Sequence, residues 1–276
     1  MKDFRNKVAA ITGAGSGMGR ALALELAARG CAVAIADVGQ STLIETEALL
    51  RQRNVKVSSH LVDVADRAAM ERFAADVVRI HGKVNLVFNN AGVSVSNSVE
   101  KLSYEDFEWL MNINFWGVVH GTKAFLPYLK QVDEAHIVNT SSIFGVVAFA
   151  SQSAYNASKF AVRGFTEALR QELADTHIGV SCVQPGGVKT NIVKTSRYYA
   201  ADNEAPTKEE LTRTFEQMAA LTPHDAALQI LRGVERNRGR VLVGRDAVFL
   251  AWMQRLFPES YPQRLATFAN RIMRRN

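Results

Sequence analysis

The sequence predicts a doubly wound α/β fold: about seven parallel strands flanked by helices, in a single domain. Three observations predict it. Short apolar runs alternate with segments of helical period along the chain. The runs are largely apolar throughout, as in strands buried on both faces. The first run ends in a glycine-rich turn that opens a helix, Thr12-Gly13-Ala14-Gly15-Ser16-Gly17-Met18-Gly19. A repeated strand–helix rhythm implies right-handed crossovers and a reversal of strand order between the first and fourth strands. Composition agrees: 276 residues, 47% hydrophobic and 22% charged, describe a globular chain that can bury its core without disulfide or metal.

The elements follow in order. Residues 8–12 form the first strand, and Ala21, Leu22, Leu24, Leu26 and Ala27 then recur at helical spacing up to Gly30. Residues 31–36 are the second strand and 42–53 a helix; 55–62 are the third strand and 67–81 a helix. After a fourth strand at 84–88, one long helix covers about 104–130. A fifth strand at 136–140, a helix at 154–176, a sixth strand at 178–184 and a seventh at 240–244 complete the pattern. Residues 190–222 interrupt the rhythm just beyond a strand end, where ligands sit in such sheets, and predict a substrate lid. Residues 1–245 are therefore read as the dinucleotide-binding and catalytic domain. Residues 246–276 are read as a helical extension packed on that domain or on its dimer mate. Pro258 and Pro262 split the extension into helices at 247–256 and 264–275. In the second, Leu265, Phe268, Ala269 and Ile272 line up as one apolar stripe.

Charge is unevenly placed. Residues 1–231 carry 23 basic and 24 acidic side chains, whereas residues 232–276 carry ten Arg and three acids. The basic end suits a solvated helix face or contact with an anionic membrane surface; no nucleic acid is expected as a partner. Residues 1–7 carry mixed charges and lead into only six apolar or small residues, too few for a signal peptide. No apolar run approaches the roughly 18 residues of a spanning helix. Cys31 and Cys182 lie far apart in apolar runs and read as buried free thiols. A soluble cytoplasmic protein is the expectation. His60, His81, His120, His136, His177 and His224 show no ligand spacing, so no metal is expected.

The chemistry starts at the glycine turn. Backbone without Cβ lets a pyrophosphate lie against a helix N-terminus, where free N–H groups and the helix dipole hold its charge. The glycines at 13, 15, 17 and 19 do not spell G-x-G-x-x-G, and no Gly-Lys-Ser/Thr follows, so the turn is not a Walker loop. Asp37 ends the second strand, placed to bond the adenosine ribose. Its carboxylate repels a 2′-phosphate, and neither Ser16 nor Val38 supplies a cation, so NAD is expected over NADP. Tyr155 and Lys159 stand at i and i+4 on one helix face. A nearby ammonium favours phenolate and is expected to lower the Tyr155 pKa toward the range of proton transfer with an alcohol oxygen. Ser142, at the mouth of the fifth strand, is within reach of Tyr155 above the sheet.

Taken in order, these segments resemble the short-chain dehydrogenase/reductase family, closely over about residues 5–190 and loosely beyond. The motifs are Thr12-Gly-x-x-x-Gly-x-Gly19, Asp63-Val64, Asn89-Asn90-Ala91-Gly92, Asn114-Phe-Trp-Gly117, Ser142, Tyr155-x-x-x-Lys159 and Pro185-Gly186. The resemblance implies a Rossmann fold and hydride transfer between a nicotinamide and a carbonyl or alcohol. It makes Tyr155 the general acid/base and gives Lys159 the nicotinamide ribose and the tuning of that Tyr. Ser142 would bond the substrate oxygen, and Asn114 would shape the long helix and hold a water relaying protons to Lys159. The cofactor would lie on Gly13, Ser16, Gly17, Met18, Gly19 and Asp37, with Asp63 and Val64 flanking the adenine. Asn90, Ala91 and Gly92 would line the adjoining ribose. Pro185 and Gly186 would turn the sixth strand away, leaving Val188 and Thr190 against the carboxamide. Val93, Phe144, Ser142 and Tyr155 would face substrate. The usual Val-Asp-Gly-Gly ending is replaced here by Arg240-Val-Leu-Val-Gly244 and about thirty further residues.

The resulting expectation is an NAD-dependent oxidoreductase acting on a small hydrophobic secondary alcohol or ketone, assembled as a homodimer or homotetramer. A dimer would form through the helices at about 104–130 and 154–176. Two alternatives stand beside it: a catalytically silent NAD-binding sensor, and a lipid-type dehydrogenase held at a membrane surface by its basic tail. The intact Asn114/Ser142/Tyr155/Lys159 set argues against the sensor.

Overall fold

Buried strands alternate with amphipathic helices from the first residues onward. The computed structural model describes residues 1–199 and 207–265. Strands β1 (Val8–Thr12), β2 (Ala32–Asp37), β3 (Val57–Leu61), β4 (Leu86–Asn89), β5 (Ala135–Thr140), β6 (Ile178–Pro185) and β7 (Arg240–Val243) form one sheet among the described residues, in the order β3-β2-β1-β4-β5-β6-β7. Every pairing is parallel. The order reverses between β1 and β4, as the doubly wound reading requires.

The helices are α1 (Gly17–Ala28), α2 (Gln40–Arg51), α3 (Arg67–His81), α4 (Tyr104–Met111), α5 (Gly117–Leu129), α6 (Ser153–Glu172), α7 (Lys208–Met218), α8 (Pro223–Glu235) and α9 (Arg245–Leu256). Strand alternation sends neighbouring residues to opposite sides of the sheet. In β1, Ala9 and Ile11 join a core built with Leu22 and Leu26 of α1 and Ile230 and Val234 of α8. Val8 and Ala10 point the other way, into a core with Met70 and Phe73 of α3 and Phe125 and Leu129 of α5. Both thiols are free and buried, and burial pushes each up to about 12. Among the described residues no helix is long and apolar enough to cross a membrane.

The structure corrects three expectations. The third strand is not buried on both faces: β3 is the sheet edge, Ser58, Ser59 and His60 are half-buried, and Leu61 is exposed. The single helix over 104–130 is interrupted by a π turn at Asn112–Trp116, which sets α4 apart from α5. The helix expected to reach 176 ends at Glu172, because 173–177 fold into turns in which the Thr176 hydroxyl donates to the Leu173 carbonyl. In the tail, α9 is present over the expected stretch, while the second stripe, at 264–275, lies outside the described residues beyond Leu265.

Burial also gives the fold an acid-sensitive point. His136 in β5 is buried, its Nε2 2.8 Å from the Ser181 hydroxyl, and desolvation pushes its pKa down to about 3. An unfolded imidazole takes a proton near 6.5, so acid draws the chain toward the unfolded state as pH falls from 6.5 toward 3. Between pH 7.5 and 5 this side chain alone should remove about 2 kcal/mol of stability. Urea unfolding at the two pH values checks this. The wild type should weaken on acidification, and His136→Gln should lose most of that dependence; parallel curves for the two proteins would contradict it.

Candidate active site

The glycine turn lies at the switch point of the sheet. Gly13 has φ +64°, and a Cβ there would come within 2.8 Å of the Ala91 Cα. Only glycine lets the β1 turn and the β4 turn approach so closely. Thr12 ties the two together: its hydroxyl accepts the N–H groups of Asn90 (3.0 Å) and Ala91 (3.1 Å), and the Asn90 amide donates back to the Thr12 carbonyl (3.1 Å). Ser16 precedes α1 in extended conformation with no side-chain cap, and no acid occupies the first turn, so the helix N-terminus offers its N–H groups outward. Met18 packs on the core and Gly19 is buried.

Asp37 stands at the end of β2 with both carboxylate oxygens oriented by backbone. One accepts the Gly15 N–H at 2.8 Å and the other the Gly39 N–H at 2.9 Å. Val38 beside it is exposed. Asp63 is exposed and holds the Ala65 N–H (2.9 Å), while Val64 is buried. Across the cleft, Pro185 ends β6, and the Gly186 N–H continues its ladder to the Val243 carbonyl (2.9 Å). The Thr190 methyl would lie 3.2 Å from a Cβ on Gly17. Val188 belongs to the core and bridges Leu221, so its side chain is spent on packing and only its main chain is available to a ligand.

The four residues expected to act together do meet. Ser142 opens the short turn Ile143–Gly145 at the end of β5, and its Oγ accepts the Phe144 N–H at 3.1 Å. The Ser142 hydroxyl faces the Tyr155 phenol and favours its ionised form. Lys159, one turn along α6, is buried; its Nζ donates to the Thr140 carbonyl at 3.0 Å and lies 5.6 Å from the centre of the Tyr155 ring. The phenol corrects the sequence argument. Burial pushes it up to about 12, against the opposing pull of the Ser142 hydroxyl, so desolvation sets the direction in the free chain. Burial likewise pushes Lys159 down to about 8.

Asn114 sits in the π turn, fully buried, and grips the loop after β4. Its Oδ1 accepts the Val93 N–H at 2.8 Å, and its Nδ2 donates to the Val93 carbonyl (2.9 Å) and the Ser158 hydroxyl (3.2 Å). The extra residue of a π turn swings a side chain that a regular helix would aim elsewhere. A Cβ on Gly92 would be 3.2 Å from Asn114 Oδ1 and 3.4 Å from Lys159 Nζ, so Gly92, Asn114 and Lys159 converge. Val93 packs in one cluster with Tyr155, and Phe144 meets the Tyr155 ring edge-on at 5.8 Å while stacking on Phe149 at 4.4 Å. The wall around the phenol is thus apolar and aromatic.

Sequence reasoning missed several residues that hold this wall. Asn156, beside Tyr155, donates to the Phe144 (2.9 Å) and Val147 (3.2 Å) carbonyls and accepts the Phe149 N–H (3.2 Å). Beyond β6, Arg197 pairs with buried Asp106 of α4 at 2.7 Å and stacks over Trp109 at 3.8 Å, and the short strand Arg197–Tyr198 pairs with Val95–Ser96. No local pattern marks these residues, since each partner lies in another element.

A parallel sheet with a glycine turn at its switch point and a Tyr–Ser–Lys cluster at its mouth defines a nucleotide-dependent enzyme architecture. The family model for short chain dehydrogenase matches residues 7–200. SadH of Mycobacterium tuberculosis, an oxidoreductase by name, is 44% identical over 269 residues, covering 96% of each chain. The C alpha-dehydrogenase of Sphingobium sp. is 32% identical over 86% of this chain and 80% of its own. A short-chain dehydrogenase from Burkholderia phymatum, solved in complex with NAD, superposes with a TM-score of 0.85 at 34% identity, over 94% of this chain and 96% of that one. The chain belongs to the short-chain dehydrogenase family and is an oxidoreductase of that family.

Proposed function

We propose that the protein transfers a hydride between NAD(H) and a hydrophobic secondary alcohol or ketone, with Tyr155 as general acid/base. The observation that carries this is the convergence of Tyr155, Ser142 and Lys159, with Lys159 Nζ 5.6 Å from the Tyr155 ring, Val93 and Phe144 packed beside that ring and Phe149 stacked behind Phe144. The chain's own features suit the cofactor: an uncapped α1 N-terminus for the pyrophosphate, Asp37 for the adenosine ribose, and a buried, unpartnered Asn90 Oδ1 beside the glycine turn. When bound, NAD(H) supplies or accepts the hydride.

The residues divide the remaining work. Ser142 donates a hydrogen bond to the substrate oxygen. Tyr155, protonated in the free chain, gives its proton to that oxygen in reduction and takes it back in oxidation. Lys159 holds the nicotinamide ribose and stabilises the phenolate that reduction leaves behind. Asn114 keeps the Asn90-Ala91-Gly92-Val93 loop at the correct height above the sheet. Residues 190–222 cover the substrate, and the body at 1–245 and the extension at 246–276 act as one unit. A homodimer through α4, α5 and α6 fits the exposure of Trp116, in the π turn between α4 and α5, and of Phe160 on α6.

The test is a panel of aliphatic 2-ketones, cyclic ketones and aryl ketones with NADH, and the matching alcohols with NAD⁺. An apolar wall predicts that kcat/KM rises about threefold to fourfold per added methylene until the site is filled, from about 0.8 kcal/mol per buried CH₂. Preference for charged or polyhydroxylated substrates would overturn the hydrophobic reading. NADH binding without turnover of any of them would favour the sensor.

A further inference from the structure

The segment after β7 touches both loops that bracket the catalytic cluster. At the start of α9, Asp246 accepts the Gly187 N–H at 2.6 Å through Oδ2. Gly187 lies in the loop that leads from Pro185 to Val188 and Thr190. A Cβ on Gly186 would fall 2.1 Å from that same carboxylate oxygen, so glycine at 186 is what lets the Asp246 carboxylate lie on the loop backbone. A Cβ on Gly244 would come within 2.4 Å of the other oxygen. Glycines at the β6 exit and at the α9 entrance therefore make room for one carboxylate.

On the other side, the Tyr261 hydroxyl accepts the Ala148 N–H at 3.1 Å. Ala148 belongs to the loop that starts at Ser142 and carries Phe144 and Phe149. Ala247 and Ala251 of α9 bury themselves against Ile143, Val146 and Val147 of that loop, and Tyr261 packs in the same cluster. Small alanines on this face let the helix approach closely. The loop is thus held from below by Asn156 and from the side by Tyr261.

We infer that the C-terminal segment belongs to the working site, with Asp246 a positioning residue for the cofactor loop and Tyr261 a positioning residue for the substrate wall. This rests on the oxidoreductase reading above, in which residues 186–190 face the nicotinamide and residues 142–149 face the substrate. It also changes the expectation for the tail. The tail packs on its own domain through α9 and reaches the chemistry, so its loss would not leave the catalytic residues undisturbed.

The two contacts make separable predictions. Asp246→Ala should raise the Kd for NADH, read by fluorescence, about threefold to tenfold, the worth of one ordinary hydrogen bond, since Asp246 acts on the cofactor only through the Gly187 backbone. Asp246→Asn, which keeps an acceptor oxygen, should restore most of it. Tyr261→Phe should raise KM for the fastest ketone of the panel by about threefold to tenfold, with the NADH Kd within twofold of wild type. Crossed effects, in which Tyr261→Phe weakens NADH and Asp246→Ala spares it, would overturn the assignment. So would variants that only lower the melting temperature while Kd and KM stay unchanged. Wild type that binds NADH yet turns over no ketone would sink the oxidoreductase reading, while the NADH arm would still decide the role of Asp246.

Discussion

Tyr155→Phe is expected to lower turnover at least about 10²-fold, with NADH binding within about twofold of wild type. The ring is held by packing: Phe144 meets it edge-on at 5.8 Å, and Val93 shares its cluster. Phenylalanine keeps those contacts and removes only the hydroxyl, so structure and cofactor affinity should persist while the proton donor is lost. The pH profiles should follow the same group. Burial holds the free phenol up near 12 and Lys159 down near 8. Reduction needs a protonated Tyr155 above a charged Lys159, so its kcat/KM should be level below pH 8 and fall above it. Oxidation requires Tyr155 to accept a proton, so its rate should climb with pH over the same interval. Steady-state rates from pH 6 to 10 in both directions test this. Near-normal turnover in Tyr155→Phe would remove that residue from the mechanism.

The second large effect concerns cofactor choice. NADH should be preferred over NADPH, because the Asp37 carboxylate would face a 2′-phosphate. The N–H groups of Gly15 and Gly39 hold both of its oxygens, so it cannot rotate away. Asp37→Asn isolates charge from geometry, since the amide oxygen can still accept one of those N–H groups, and it should raise NADPH use modestly. Asp37→Ala with Val38→Arg should move the kcat/KM ratio toward NADPH by about 10²-fold. One repulsion is removed, and a charge-assisted bond of about 1.5–3 kcal/mol is added from a position already exposed. A wild type that used NADPH as well as NADH would show that Asp37 does not meet the ribose.

Much of this site is legible in the chain itself because its parts are local. A glycine turn after a strand, an acid at the next strand end, and a phenol and an ammonium one helical turn apart each depend on residues close in sequence. The expected strand positions fall within a few residues of β1 to β7, and residues 67–81 match α3 at both ends. The π turn left no such trace. Nothing in the order of residues 112–116 specifies an extra residue in the turn, and what the bulge serves, the Asn114 grip on Val93, spans 21 positions. The direction of the phenol shift was equally out of reach. The (i, i+4) lysine is visible in sequence, whereas the packing that desolvates Tyr155 comes from elements far along the chain.

The sequence by itself determined the strand–helix order, the glycine-dependent turn at Gly13 and the identities of Ser142, Tyr155 and Lys159, because backbone conformation, periodicity and short spacings are encoded locally. The tertiary structure alone decided that β3 lies at an edge, that Asn114 turns inward, that Arg197 pairs with Asp106, and that Asp246 and Tyr261 reach back to the loops at 186–190 and 142–149. Each of these depends on where a distant segment returns, and the pairing of residues 59 or 113 positions apart leaves no mark on either one alone.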